Sequence, residues 1–178
     1  MGDGLFTFGT LETVEVPSSG PQAANDAVAK APLGVLLRWN GKVFRYVQYD
    51  DGADDIAAAA GAVCYWKVLT FPTATTASSF KATCDISSAI GSGVNLVAGV
   101  LGCVVTTGYY TWIQVGGVVE DCLTAASTVA GDACVYGTDS TFGRDASGAI
   151  NDLTFGIALD TRDVTAGTNT VLLHNLIW

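Results

Sequence analysis

Residues 95–119, Asn-Leu-Val-Ala-Gly-Val-Leu-Gly-Cys-Val-Val-Thr-Thr-Gly-Tyr-Tyr-Thr-Trp-Ile-Gln-Val-Gly-Gly-Val-Val, constrain the fold more than any other stretch, because they read as two strands joined around one Gly-containing turn. The run from Val100 to Val105 is apolar on both faces, as a strand enclosed by a sandwich or barrel should be. Trp112, Ile113 and Val115 add the aromatic and β-branched side chains that suit a pleated surface. Between the two runs, Thr106-Thr107-Gly108 places a glycine where the chain needs a positive φ. A second hairpin with the same grammar is expected near the C-terminus, where Phe155-Gly156-Ile157-Ala158-Leu159 leads to Val171-Leu172-Leu173. Thr-x-Gly-x-x-Thr marks both turns, at Thr106/Gly108/Thr111 and at Thr165/Gly167/Thr170.

The sharpest local signal is Asn40-Gly41 between two apolar runs, which predicts a two-residue type I′ hairpin over 33–49. The register follows: Trp39 opposes Lys42, Leu37 opposes Phe44 and Val35 opposes Tyr46 on the side expected to face the core. On the other side Arg38 opposes Val43 and Leu36 opposes Arg45, which would keep both guanidinium groups near water. Before the hairpin, residues 1–33 carry scattered Gly and Pro and few long apolar residues after Val16, and read as an extended arm ahead of a single β domain over 34–178. Leu5, Phe6, Phe8 and Leu11 are too apolar for a free tail and would lie either on a neighbouring subunit or on their own domain. Gln22 to Ala31 has the composition for a short helix that would need tertiary support. The bulky end, with Trp178, should be tied down on the domain or on a partner.

Further along, a strand is expected at residues 63–69, a Thr/Ser/Ala-rich loop over 72–92 with one short strand around Lys81 to Ile86, and an exposed loop over 138–151. Ala60-Gly61-Ala62-Val63-Cys64-Tyr65 is echoed by Ala130-Gly131-Asp132-Ala133-Cys134-Val135-Tyr136. After each comes a Gly, Gly99 or Gly156, that opens the matching hairpin. The layout fits a divergent internal duplication, with residues 120–132 standing as the small-residue lead-in that matches 55–61.

The fold class is therefore all-β, an antiparallel small barrel or sandwich of hairpins. Its 178 residues are enough for one core without disulfides or metal. Only 14% of residues are charged, against roughly 25% in an ordinary domain, so much of the surface must be neutral or covered by partners. The net charge of -9 argues against nucleic acid and anionic membrane as partners. From Ile86 to Val119 there is no charged residue, yet Gly and Thr interrupt the stretch too often for a spanning helix. The first residues lack the basic and apolar regions of a signal peptide, which gives an expectation of a cytosolic product.

Signs of catalysis are few. The five cysteines include no C-x-x-C and there is one histidine, so zinc is unsupported and the thiols read as small buried hydrophobes. Asp50, Asp51, Asp54 and Asp55 lack the closing Glu of an EF-hand and read as a solvated turn. His174 ends an apolar strand. Asp residues in the loops at 50–55 and 139–152 could serve a carboxylate hydrolase, but nothing selects a pair. Trp39, Trp66 and Trp112 could form a sugar-stacking platform or, spaced singly on strands, belong to the core. The chain is expected not to be an enzyme and to carry no cofactor or metal.

Residues 95–173 resemble the capsid decoration (cement) proteins of tailed bacteriophages. The resemblance rests on Gly99-Val-Leu-Gly and Thr106-Thr-Gly-Tyr-Tyr-Thr-Trp-Ile-Gln-Val-Gly-Gly-Val-Val119, then Val129-Ala-Gly-Asp132, Phe155-Gly-Ile-Ala-Leu-Asp160 and Val171-Leu-Leu173. It implies a β-rich virion protein on the outside of an icosahedral head, often a homotrimer. Such a protein binds the major capsid protein and strengthens the shell. Leu5, Phe6, Phe8, Leu11 and Trp178 would then contribute to subunit or capsid contacts. A β-sandwich adhesion or glycan-binding module on a virion or tail is the alternative.

Overall fold

The computed structural model describes residues 19–70, 79–89, 96–125, 127–145, 154–162 and 167–174. Leu5, Phe6, Phe8, Leu11 and Trp178 lie outside the described residues. Among the described residues, ten strands and two short 3₁₀ turns make up the regular structure. The strands are β1 (Leu36–Trp39), β2 (Lys42–Tyr49), β3 (Val63–Thr70), β4 (Ser79–Thr83), β5 (Val97–Leu101), β6 (Tyr110–Thr124), β7 (Ala133–Tyr136), β8 (Phe142–Arg144), β9 (Gly156–Ala158) and β10 (Gly167–Leu173).

Strands β2, β4, β3, β5 and β6 pair in that order, and β6 returns to β2, closing a five-stranded barrel. The remaining strands repeat the plan. β6 pairs with β10, β10 with β9, β9 with β7 and β7 with β8, and β8 returns to β6 through Thr124 and Phe142. In each circuit one pair is parallel, β2 with β4 and β6 with β8, and the others are antiparallel. The fifteen-residue β6 belongs to both circuits, its first half pairing with β2 and β5 and its second half with β10 and β8.

The correspondence holds residue by residue. Cys64 faces Gly99 in the first circuit and Cys134 faces Gly156 in the second. Gly61 donates its N–H to Leu101 O, and Gly131 donates to Ala158 O, each at 2.8 Å. These are the positions at which the sequence echoes itself, so the duplication extends to backbone pairing.

The partner exchange along β6 falls at Gly116-Gly117. Gly117 has φ 83, and a Cβ there would lie 2.8 Å from Gly41 O, so only glycine lets the hairpin tip approach the strand this closely. Gln114 Nε2 donates to the carbonyls of Gly116 and Val118 and satisfies groups that the change of partner would leave open. Residues 120–124 are consequently strand, where the sequence suggested a lead-in loop.

Other local expectations are corrected. The Asn40-Gly41 hairpin has the expected register, with φ 47 and 76 at its two central residues, and Phe44 and Tyr46 with Val35 and Leu37 form the expected apolar face, but two residues depart from it. Trp39, placed in the core by alternation, is 40% exposed, while Arg45, placed near water, is 2% exposed. The reason is position: β1 is an edge strand, whereas β2 lies in the barrel wall with both faces covered. Within 22–31 there is no α-helix, only the 3₁₀ turn Pro21–Ala23. Ala24 is extended, and Asp26 spends its backbone N–H and C=O on Tyr110 of β6. β5 ends at Leu101, leaving Val104 68% exposed in the following loop. The strand expected near 81–86 runs Ser79–Thr83, and β8 interrupts the loop expected over 138–151.

One apolar cluster fills both circuits, including Val47, Val63, Trp66 and Ile113 in the first and Phe142, Phe155, Ala158 and Val171 in the second. A second, smaller cluster of Ala24, Phe44, Tyr46 and Trp112 lies between the first circuit and the segment at 19–35, against Ala31, Leu33, Val35 and Leu37.

Candidate functional site

The two circuits differ most on their outer surfaces. On the first, residues 19–35 cover the β2–β6 wall and are fastened around Tyr46. Its hydroxyl donates to Asp26 Oδ2 at 3.1 Å and accepts from Lys30 N at 3.0 Å, and its carbonyl accepts from Gly34 N at 2.8 Å. Thr111 Oγ1 donates to Ala24 O at 2.7 Å. Burial pushes the Tyr46 hydroxyl up to about 12, so it stays a neutral donor throughout the physiological range. Beneath this cover Phe44, Tyr46 and Trp112 are at most 1% exposed, and the Tyr46 and Trp112 rings lie 4.8 Å apart.

The second circuit has a matching row. Phe44 opposes Gln114, which opposes Val100; correspondingly Val118 opposes Leu172, which opposes Ile157. Inward of that row Val119, Val171 and Ala158 are buried. Outward, Val118 and Ile157 are half-buried, Leu172 is 38% exposed and Leu159, two residues along β9's path, is 43% exposed. Cross-strand apolar neighbours left open to water on a protein this poor in charge mark a surface suited to contact. Their surroundings include Glu120, Asp121 and Asp160, which with Arg162, Thr168 and Asn169 line a polar groove beside the junction.

A smaller groove of about 250 Å³ lies between the circuits, lined by residues that include Gln22, Lys42, Phe44, Gly61, Glu120 and Asp121. It holds no nucleophile next to a base. Among the described residues no group of three or more His, Cys, Asp or Glu side chains is arranged to hold a metal ion. No helix among them is long and apolar enough to cross a membrane.

The acidic turn is built around a residue the sequence reading passed over. Asp85, 0% exposed, accepts hydrogen bonds from the backbone N–H groups of Ala53 (2.8 Å), Asp54 (3.2 Å), Ser87 (2.8 Å) and Ser88 (3.3 Å), and from both serine hydroxyls at 2.6 Å. Burial by itself would raise this carboxyl, but the Ser87 and Ser88 bonds and the backbone donors outweigh it and hold it well below the ordinary carboxylate range. Asp85-Ile86-Ser87-Ser88 was the available signal, with Asp85 capping the 3₁₀ turn Ile86–Ser88, since an Asp at a cap accepts from the N–H groups two and three residues on. Asp50 instead pairs with Lys67 at 2.6 Å. Asp139 accepts from Ile86 N at 2.8 Å, whereas residues 146–152 of the other acidic loop lie outside the described residues.

The tryptophans do not form a platform. Trp66 and Trp112 are core residues at 1% exposure, and among the described tryptophans Trp39 alone reaches the surface. Arg45 lies with its guanidinium carbon 5.7 Å from the Trp66 ring centre and 5.8 Å from that of Phe80. Its burial lowers its pKa, and cation–π contact replaces the water it has lost. His174 is exposed at the end of β10.

No family model matches the chain, and no curated protein does. Among solved structures, the chain is similar to the N base of the head fiber gp8.5 of bacteriophage phi29, at 12% identity and a TM-score of 0.48. That likeness covers 75% of this chain and 95% of the other.

Proposed function

We propose that the protein is a structural component of a virion, a head decoration (cement) protein that binds the major capsid protein on the outside of an icosahedral shell and stabilises it, working as a homotrimer. The observation that carries this reading is the row of Val118, Leu172 and Ile157, which no described segment covers, at the place where residues 19–35 cover the first circuit. The sequence resemblance at 95–173 includes all three residues of this row. An apolar row with a polar, largely acidic margin, built on closed β-circuits, suits burial between subunits. The mechanism is mass action: a part that binds the mature shell and not its precursor stabilises the mature state by that difference in affinity. Such work needs no cofactor, nucleic acid or membrane.

The test mixes purified protein with phage heads that lack it and reads occupancy and heat resistance of the heads. Wild-type protein is expected to bind and protect. Leu172→Asp is expected to keep its own melting temperature within a few degrees, since the side chain is already 38% exposed, and to lose occupancy. Equal binding by the variant would remove this face from the account, and wild-type protein that ignores heads would overturn the function.

A further inference from the structure

Cys64 and Cys84 are the one pair of thiols in contact among the described residues. β3 and β4 pair with Tyr65 opposite Thr83, and one step outward sets Cys64 opposite Cys84 with their Sγ atoms 3.4 Å apart. Both residues are 0% exposed. Directly opposed residues on antiparallel strands already have the separation a disulfide needs, so modest side-chain rotation brings the sulfurs to the bonding distance of about 2.05 Å. The second circuit has no such pair, because Cys134 faces Arg144 at the matching place.

We propose that Cys64 and Cys84 form a latent crosslink, a modification site that closes when the protein meets a peroxide. The Sγ of one cysteine, as thiolate, attacks a peroxide oxygen; the O–O bond breaks, hydroxide leaves and a sulfenic acid remains. The second sulfur then attacks the sulfenic sulfur, the S–O bond breaks and water departs. Two thiols lose two electrons and two protons in all, and hydrogen peroxide takes them up as two waters.

Cys84 is the thiol suited to the first step. The hydrogen bond from Cys64 draws its pKa down, with Tyr49 and Ser140 acting in the same direction against burial, whereas burial pushes Cys64 well up. Cys84 also stands just past the end of β4, where local opening can admit a water-sized oxidant. Cys134, pushed up to about 12 by burial, and Cys122, pushed up further, are poorer nucleophiles. The crosslink depends on strand register alone and stands or falls separately from the head-surface reading.

The experiment treats the full-length protein with equimolar hydrogen peroxide without denaturant, then counts thiols, weighs the intact chain, maps the link by digestion and measures the melting temperature. Two of the five thiols should disappear, the mass should fall by about 2 Da, and the link should join Cys64 to Cys84. The melting temperature should rise by on the order of 5 °C as the closed loop restricts the unfolded chain. Cys84→Ser, a small change of similar volume, should lose both the mass change and the thermal gain. Five intact thiols, a first link through Cys122 or Cys134, oxygen added to Cys84 without a link, or a crosslinked form that melts lower would each overturn the proposal.

Discussion

The first and second circuits share one pairing diagram but have unequal exteriors. The first is covered by residues 19–35 and extended by β1, so that Phe44 and Trp112 behave as core. Among the described residues no segment covers the matching wall of the second, and Leu172 and Leu159 are 38% and 43% exposed. Pairing and coverage are thus separable properties. A chain can inherit a closed backbone circuit twice and clad only one copy, and the unclad copy is then available for contact with something else.

The strongest way to break this comparison is to truncate one member of each matched pair. Phe44→Ala should destabilise by about 3–5 kcal/mol, as for a buried aromatic, while Leu172→Ala should cost less than about 1 kcal/mol. Denaturant midpoints of the two variants check this, and similar losses would mean that the second wall is as enclosed as the first. The matched glycines sharpen it. A Cβ on Gly61 would lie 1.8 Å from Asp121 O at φ 80, whereas Gly131, at φ 97, has open space. Gly61→Ala should therefore cost about 3 kcal/mol and Gly131→Ala about 1 kcal/mol, the strain of the left-handed backbone without the clash.

A smaller effect should come from Asp85→Asn, expected to cost about 2 kcal/mol at neutral pH by weakening a buried set of charge-assisted hydrogen bonds. The carboxyl's folded pKa is depressed, so its contribution is complete above the unfolded value near 3.9 and is lost as pH falls from there through the folded value. Melting temperatures of wild type and variant should accordingly begin to converge below about pH 4 and draw together as pH falls further. A gap as wide at pH 2 as at pH 7 would contradict the assignment.

Much of this fold was legible wherever local chemistry decides geometry. Asn40-Gly41 specified its turn and register because both central residues need positive φ, and the echo of Gly61 and Cys64 in Gly131 and Cys134 located the repeat. The shared strand was hidden because Gly116-Gly117 followed by Glu120-Asp121 has the composition of a turn. Only the approach of Gly41 and the bonds from Gln114 explain why it continues as strand. Burial of Arg45 was hidden too, since alternation sorts residues onto two faces but cannot say that both faces are covered. The helix expected over 22–31 failed because its backbone groups had a better partner in Tyr110. The candidate surface was not legible as a surface: Val171-Leu172-Leu173 reads only as an apolar strand, and it is the exposure of Leu172 in the fold, where no described segment covers its wall, that separates it from Phe44.

The arrangement of β6 also bears on how the molecule carries load. Its two halves are held by different partners along one continuous backbone, so a force pulling the circuits apart lengthwise acts as shear on many hydrogen bonds at once instead of unzipping them singly. There is no linker at that junction to serve as a hinge. A body built in this way passes strain from one end to the other as a stiff rod does, a useful property wherever its surroundings push outward.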